Sequence, residues 1–179
     1  LATLEENKVN IYAEVKSLVG GGTLIQGAYQ FEEPTFEVYS LLLMNTEGKE
    51  LKNKIYSNVF IYSKTECEGI DCKFDENVKM AIEKDNYSAY IFHLGEGVDE
   101  RNKYEFAKFE ENNLLTSKSV LLHGVALDTS DFQKMSAKQA SLVWSPSSNL
   151  FLYGKTAKVD LAKKENVNIS LGPDWSPSS

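Results

Sequence analysis

Two hydrophobic periods alternate along this chain. Short runs in which most positions are aliphatic or aromatic predict strands at Ser88–His93, Ser119–His123, Ala140–Trp144 and Asn168–Leu171. Between them, apolar residues recur every three or four positions and predict helices. These are Asp75–Lys84 through Val78, Ala81 and Ile82, Asp99–Glu111 through Tyr104, Phe106, Ala107 and Phe109, Asp128–Lys138 through Phe132, Met135 and Ala137, and Val159–Lys164. Asp75 suits the cap of the first, because a short carboxylate accepts the backbone N–H groups that a first turn leaves unpaired. Asn149–Tyr153 reads as the approach to the last helix. Upstream, Val9–Val19 has helical spacing and is stopped by Gly20-Gly-Gly22. Three further β-rich runs, Thr23–Gln26, Glu37–Met44 and Tyr56–Tyr62, precede a loop that holds Cys67 and Cys72.

Near-continuous apolar strands that alternate with helices are the pattern of a parallel sheet covered on both faces. His93, His123, Ser145 and Asp174 each fall just at or past the end of a predicted strand, at intervals of 30, 22 and 29 residues. One strand-plus-helix unit needs on the order of 30 residues, so each interval holds one unit. The fold class expected is α/β. Seven strand candidates are one short of a closed (β/α)8 barrel of the TIM type.

Charge narrows the function. The net charge is -7, from 26 acidic and 19 basic residues with a single arginine, which argues against a nucleic-acid partner or a polybasic membrane anchor. No apolar run approaches the roughly 20 residues of a membrane span, so a cytoplasmic protein acting on a small molecule is expected. Cys67 and Cys72 alone make a poor zinc site and read as incidental or structural thiols. Gly20 to Gly22 precede a strand instead of opening a helix after one, which disfavours a phosphate loop.

The two histidines are the informative residues. His93 closes one apolar run and is followed by Gly95-Glu96-Gly97; His123 closes another and is followed by Gly124. In α/β proteins the carboxyl ends of strands carry the chemistry. Imidazole and carboxylate together suit a borderline divalent ion, and a catalytic site keeps one position open for water.

With His93, Glu96, His123 and Asp174 aligned on successive strand ends, the chain resembles the metal-dependent amidohydrolase superfamily, closest to its deaminase and chlorohydrolase branch. The residues that carry the likeness are Phe92-His-Leu-Gly-Glu-Gly97, Leu122-His-Gly124 and Leu171-Gly-Pro-Asp174, supported by residues 21–27 and 143–150. The resemblance implies strands two to eight of the barrel over residues 1–179, with the first strand and a flanking β-sandwich absent from this chain. It implies a hydrolase that cleaves a C–N bond of a small substrate, cyclic ones included, with metal-activated water, zinc being the ion expected. His93, His123 and Asp174 would hold the metal. Asp174 would take the proton from water, Glu96 would relay it to the leaving nitrogen, and His123 would polarise the substrate. Trp144, Ser147, Asn149 and Trp175 lie on the same predicted face and are nominated for substrate contact.

The family's first-strand His-x-His pair has no counterpart here, since the chain has only two histidines. The first residue is Leu1, so a longer parent protein is expected to supply that pair, with this chain inactive alone and able to self-associate through exposed sheet edges. The alternative is a catalytically dead barrel that serves as a binding or structural protein. A simpler role stands beside each nomination: Glu96 as a capping carboxylate, Gly95 and Gly97 as turn residues, Tyr104, Phe106 and Phe109 as core.

Overall fold

A computed structural model describes residues 2–22, 24–25, 43–45, 55–58, 62–68, 71–74 and 76–174. The chain divides into two units, Leu1–Ile55 and Tyr56–Ser179. In the first, helix α1 (Ala2–Val19) extends the predicted helix to its amino end, and strand β1 (Leu24–Ile25) pairs in parallel with β2 (Met44–Asn45). The glycines stop α1 as expected: the amide of Gly22 donates to Ser17 O at 2.8 Å, and Gly21 has φ +88°, where a side chain is disfavoured. Most of the predicted strand Glu37–Met44, and the cap Asp75, lie outside the described residues.

The second unit holds the sheet that positions the chemistry. Its strands run in the order β3 (Ile55–Asn58), β6 (Ala89–Leu94), β7 (Ser119–His123), β8 (Ser141–Trp144) and β9 (Asn168–Leu171), and β6 to β9 are mutually parallel. Before β6 come β4 (Tyr62–Glu68), β5 (Asp71–Phe74) and helix α2 (Glu76–Lys84). Helices α3 (Glu100–Glu111) and α4 (Thr129–Lys138) follow β6 and β7; α5 (Pro146–Tyr153) and α6 (Val159–Lys164) both follow β8. Consecutive parallel strands lie side by side, each joined to the next through one or two helices. This order is consistent with part of a (β/α)8 barrel.

Local chemistry explains the element boundaries. Asp99 accepts the amide of Asn102 at 2.9 Å and starts α3, and Asp128 with Asp131 forms a reciprocal capping box on α4. Along β6, Tyr90, Phe92 and Leu94 are buried while Ile91 and His93 are half-buried. The buried set joins Leu121 and Leu142 of the neighbouring strands with Val78, Phe106, Phe109, Phe132, Met135 and Ala162 of the helices in one core. Phe92 meets Phe109 edge to face at 5.2 Å. Each of these rings and aliphatic chains contributes about 1.5–3 kcal/mol on burial.

Three expectations are corrected. The cysteine segment is a β-hairpin, not a loop: β4 and β5 pair antiparallel with Cys67 opposite Cys72. Strands and helices therefore do not alternate throughout, since β3, β4 and β5 follow one another. Tyr104 is 48% exposed and only Phe106 and Phe109 of its helix reach the core. No helix among the described residues is long and apolar enough to cross a membrane.

Candidate functional site

The carboxyl ends of β6 and β7 are stitched together by backbone. Gly124 N donates to Leu94 O and Ala126 N to Gly95 O, both at 3.1 Å, which fixes the two post-strand turns relative to each other. In the sheet register Leu94, not His93, stands opposite His123. Strict alternation would therefore put His123 on the core face with Leu121. Instead His123 has φ +71°, leaves the pleat, and sets its ring 5.1 Å from that of His93. A non-glycine residue in this left-handed region at a strand end is the kind of local strain that clusters at functional sites.

Around this pair the structure gathers the predicted carboxylates. One ligand atom from each of His93, Glu96 and His123 lies within 4.8 Å of the others. His123 Nε2 is 3.6 Å from Glu96 Oε2 and 3.8 Å from Asp174 Oδ1, and it has no hydrogen-bond partner although its side chain is fully buried. Glu96 thus stands in the tight trio where sequence reasoning placed Asp174, and Asp174 lies beside it. A buried nitrogen without a partner, facing two carboxylates, fits a cation between them; two imidazoles and two carboxylates are a donor set suited to zinc and its neighbours.

Burial pushes the Glu96 carboxyl above its ordinary value; the nearby His123 opposes this, Asp174 adds to it, and the Tyr153 hydroxyl opposes it again. That hydroxyl donates to Glu96 Oε1 at 3.2 Å and is itself pushed up to about 12, by burial and by the Glu96 charge. Behind the turn, the Gly95 amide donates to Glu105 Oε2 at 2.6 Å, and burial raises the Glu105 carboxyl to about 7.

The remaining nominees divide. Trp144 donates its indole N–H to Thr156 Oγ1 at 2.6 Å. Asn149 is fully buried, with its amide engaged by His123 Nδ1 at 2.9 Å and Thr156 Oγ1 at 3.4 Å. Ser147 is exposed, while its neighbour Ser148 is buried and donates to Asp174 Oδ2 at 2.5 Å. Trp175 lies outside the described residues. Sequence reasoning missed Tyr153, Ser148, Thr156 and Glu105. For Tyr153 a signal existed: Pro146 suits the first position of a helix, and a helix begun there turns residues 145, 149 and 153 to one side.

No family model matches the chain. The 5-methylthioadenosine/S-adenosylhomocysteine deaminase of Pyrococcus abyssi is 32% identical over 117 residues, which are 60% of this chain and 27% of that protein. The human guanine deaminase is 34% identical over 91 residues, 46% of this chain and 20% of that protein. An adenosine deaminase structure from Xanthomonas campestris, with bound zinc, superposes with a TM-score of 0.51 and 16% identity over 74% of this chain and 28% of its own. These likenesses point to the metal-dependent amidohydrolase superfamily. A triazine hydrolase from Arthrobacter aurescens is similar in fold, with a TM-score of 0.51 and 10% identity over 73% of this chain and 26% of its own. The chain spans between a fifth and little more than a quarter of the length of these relatives.

Proposed function

We propose that this chain forms the greater part of the catalytic barrel of a cytoplasmic, metal-dependent amidohydrolase that cleaves a C–N bond of a small substrate, in the manner of a deaminase. In this reading residues 1–179 are one barrel domain holding strands two to eight. The observation that carries it is the bare, buried Nε2 of His123 between the carboxylates of Glu96 and Asp174, with His93 alongside. His93, His123 and either carboxylate would hold a divalent ion, zinc by preference. When bound, such an ion supplies Lewis-acid chemistry that makes water attack feasible at neutral pH.

The chain's own groups do the rest. Asp174, anchored through Oδ2 by Ser148, keeps Oδ1 for the proton of the attacking water. Glu96 carries a proton to the leaving nitrogen, a task favoured by a carboxyl held above its ordinary value. Tyr153 orients that carboxyl. Substrate recognition falls to residues around the same rim, with Trp144, Ser147 and Trp175 as candidates. Among the described residues β9 ends the sheet, with Leu171 73% exposed, which favours association of copies through this side.

The second reading, a barrel that binds without catalysing, is favoured by the absence of a His-x-His pair from these 179 residues. Metal analysis of the purified chain and of His93→Ala separates the two. Binding of about one equivalent of zinc, lost in the variant, supports the metal site; no zinc in either protein, nor in one that also carries a His-x-His pair, moves the assignment to the binding barrel.

A further inference from the structure

His123 is held from behind by a chain of three side chains drawn from β8, α5 and the segment after it. An indole nitrogen can only donate, so Thr156 Oγ1 accepts from Trp144. The same oxygen lies 3.4 Å from Asn149 Nδ2, which turns Asn149 Oδ1 toward His123 Nδ1 at 2.9 Å. An amide oxygen can only accept, so Nδ1 carries the proton and Nε2 keeps its lone pair.

We propose that Asn149 is a positioning residue that fixes His123 in the Nδ1–H form and aims its bare Nε2 between Glu96 and Asp174, with Thr156 and Trp144 holding the amide in place. The chemical sense lies in the neutrality of the amide. A carboxylate at position 149 would hold the same proton but would also favour the doubly protonated ring, which competes with a cation at Nε2. An apolar residue would leave Nδ1 without an acceptor. The consequence for metal binding rests on the hydrolase reading, whereas the tautomer itself does not. The geometry also gives Asn149 a different job from the substrate contact expected of it.

The chain has two histidines, so labelling them with nitrogen-15 gives only two ring systems, and long-range proton–nitrogen correlations report which nitrogen of each carries the proton. At a pH where the rings are neutral, His123 of the wild type is expected to be protonated at Nδ1. Asn149→Asp should keep that form and Asn149→Leu should lose it, while a global loss of structure would alter both rings together. A wild-type His123 protonated at Nε2 overturns the proposal without any variant, as does a folded Asn149→Leu whose tautomer is unchanged. Adding zinc keeps the two inferences apart. An Nδ1–H ring whose Nε2 resonance ignores zinc supports the tautomer assignment and counts against the metal site.

Discussion

Tyr153 and Glu96 are 57 residues apart in sequence, yet the hydroxyl of one donates to Oε1 of the other across 3.2 Å and ties the end of α5 to the turn after β6. With its own ionisation pushed up to about 12, Tyr153 remains a donor at any physiological pH. The bond stabilises the charged form of Glu96 and so restrains the rise that burial causes. Tyr153→Phe is therefore expected to move the Glu96 ionisation further up and to cost about 1 kcal/mol of stability. A carboxyl carbon-13 titration and a urea melt measure the two effects. An unmoved Glu96 titration would show that the hydroxyl does not hold that carboxylate in solution.

Glu105 makes stability depend on pH with a definite sign. Its carboxyl ionises near 7 in the fold, raised from 4.5 by burial against the opposing Gly95 amide, Arg101 and Asn102, with Asp99 adding to the rise. Between those values the folded chain binds more protons than the unfolded one, so this group's contribution to stability falls as pH rises from 4.5 to 7 and is level outside that window. The shift corresponds to about 3 kcal/mol. Glu105→Gln keeps an acceptor for the Gly95 amide and removes the titration. Its stability should be flatter than wild type through this window and higher at pH 8, as denaturant melts across the range will show. A variant that tracks the wild-type profile would mean that Glu105 titrates normally.

What could be read from the sequence followed local chemistry. The bounds of β7, α6 and β9 match the apolar runs, and the caps Asp99 and Asp128 act on amides two or three residues away. His93, His123, Glu96 and Asp174 converge because parallel strands deliver their carboxyl ends to one place. Helix α5 escaped because its pattern is inverted: Leu150, Phe151 and Leu152 are exposed, while Ser148 and Asn149 are buried. Nothing in the spacing could disclose that Ser148 reaches Asp174, 26 positions on, or that His123 leaves its strand face through a positive φ. Those depend on how the strands' connecting turns are set in space.

The turn that carries Glu96 has no room for a side chain at Gly97. Its φ is +157°, and a Cβ there would fall 2.0 Å from Asn102 Oδ1 on the first turn of α3. Gly97→Ala should lower stability by about 1–3 kcal/mol, from the clash and the strained backbone together. Adding Asn102→Ala removes the clash alone, so the double variant should recover part of the loss and not all of it. Thermal melts of the three proteins test this, and a single variant as stable as wild type would contradict the packing of this turn against α3.

Asp174 has its two oxygens assigned to different partners, Oδ2 to Ser148 at 2.5 Å and Oδ1 to the space beside His123 Nε2. A hydroxyl donor to a carboxylate fixes its orientation, which is what a carboxylate facing a metal ion requires. Ser148→Ala removes that donor from a buried position without adding bulk. The expected stability loss is about 1.5–3 kcal/mol, and zinc affinity should fall by about 10–100-fold, the range seen when a metal ligand loses its outer hydrogen bond. Zinc titration by calorimetry beside a denaturant melt separates the two effects. If Ser148→Ala destabilises the fold while zinc binds as before, Asp174 is a structural partner of α5 and Glu96 supplies the carboxylate ligand.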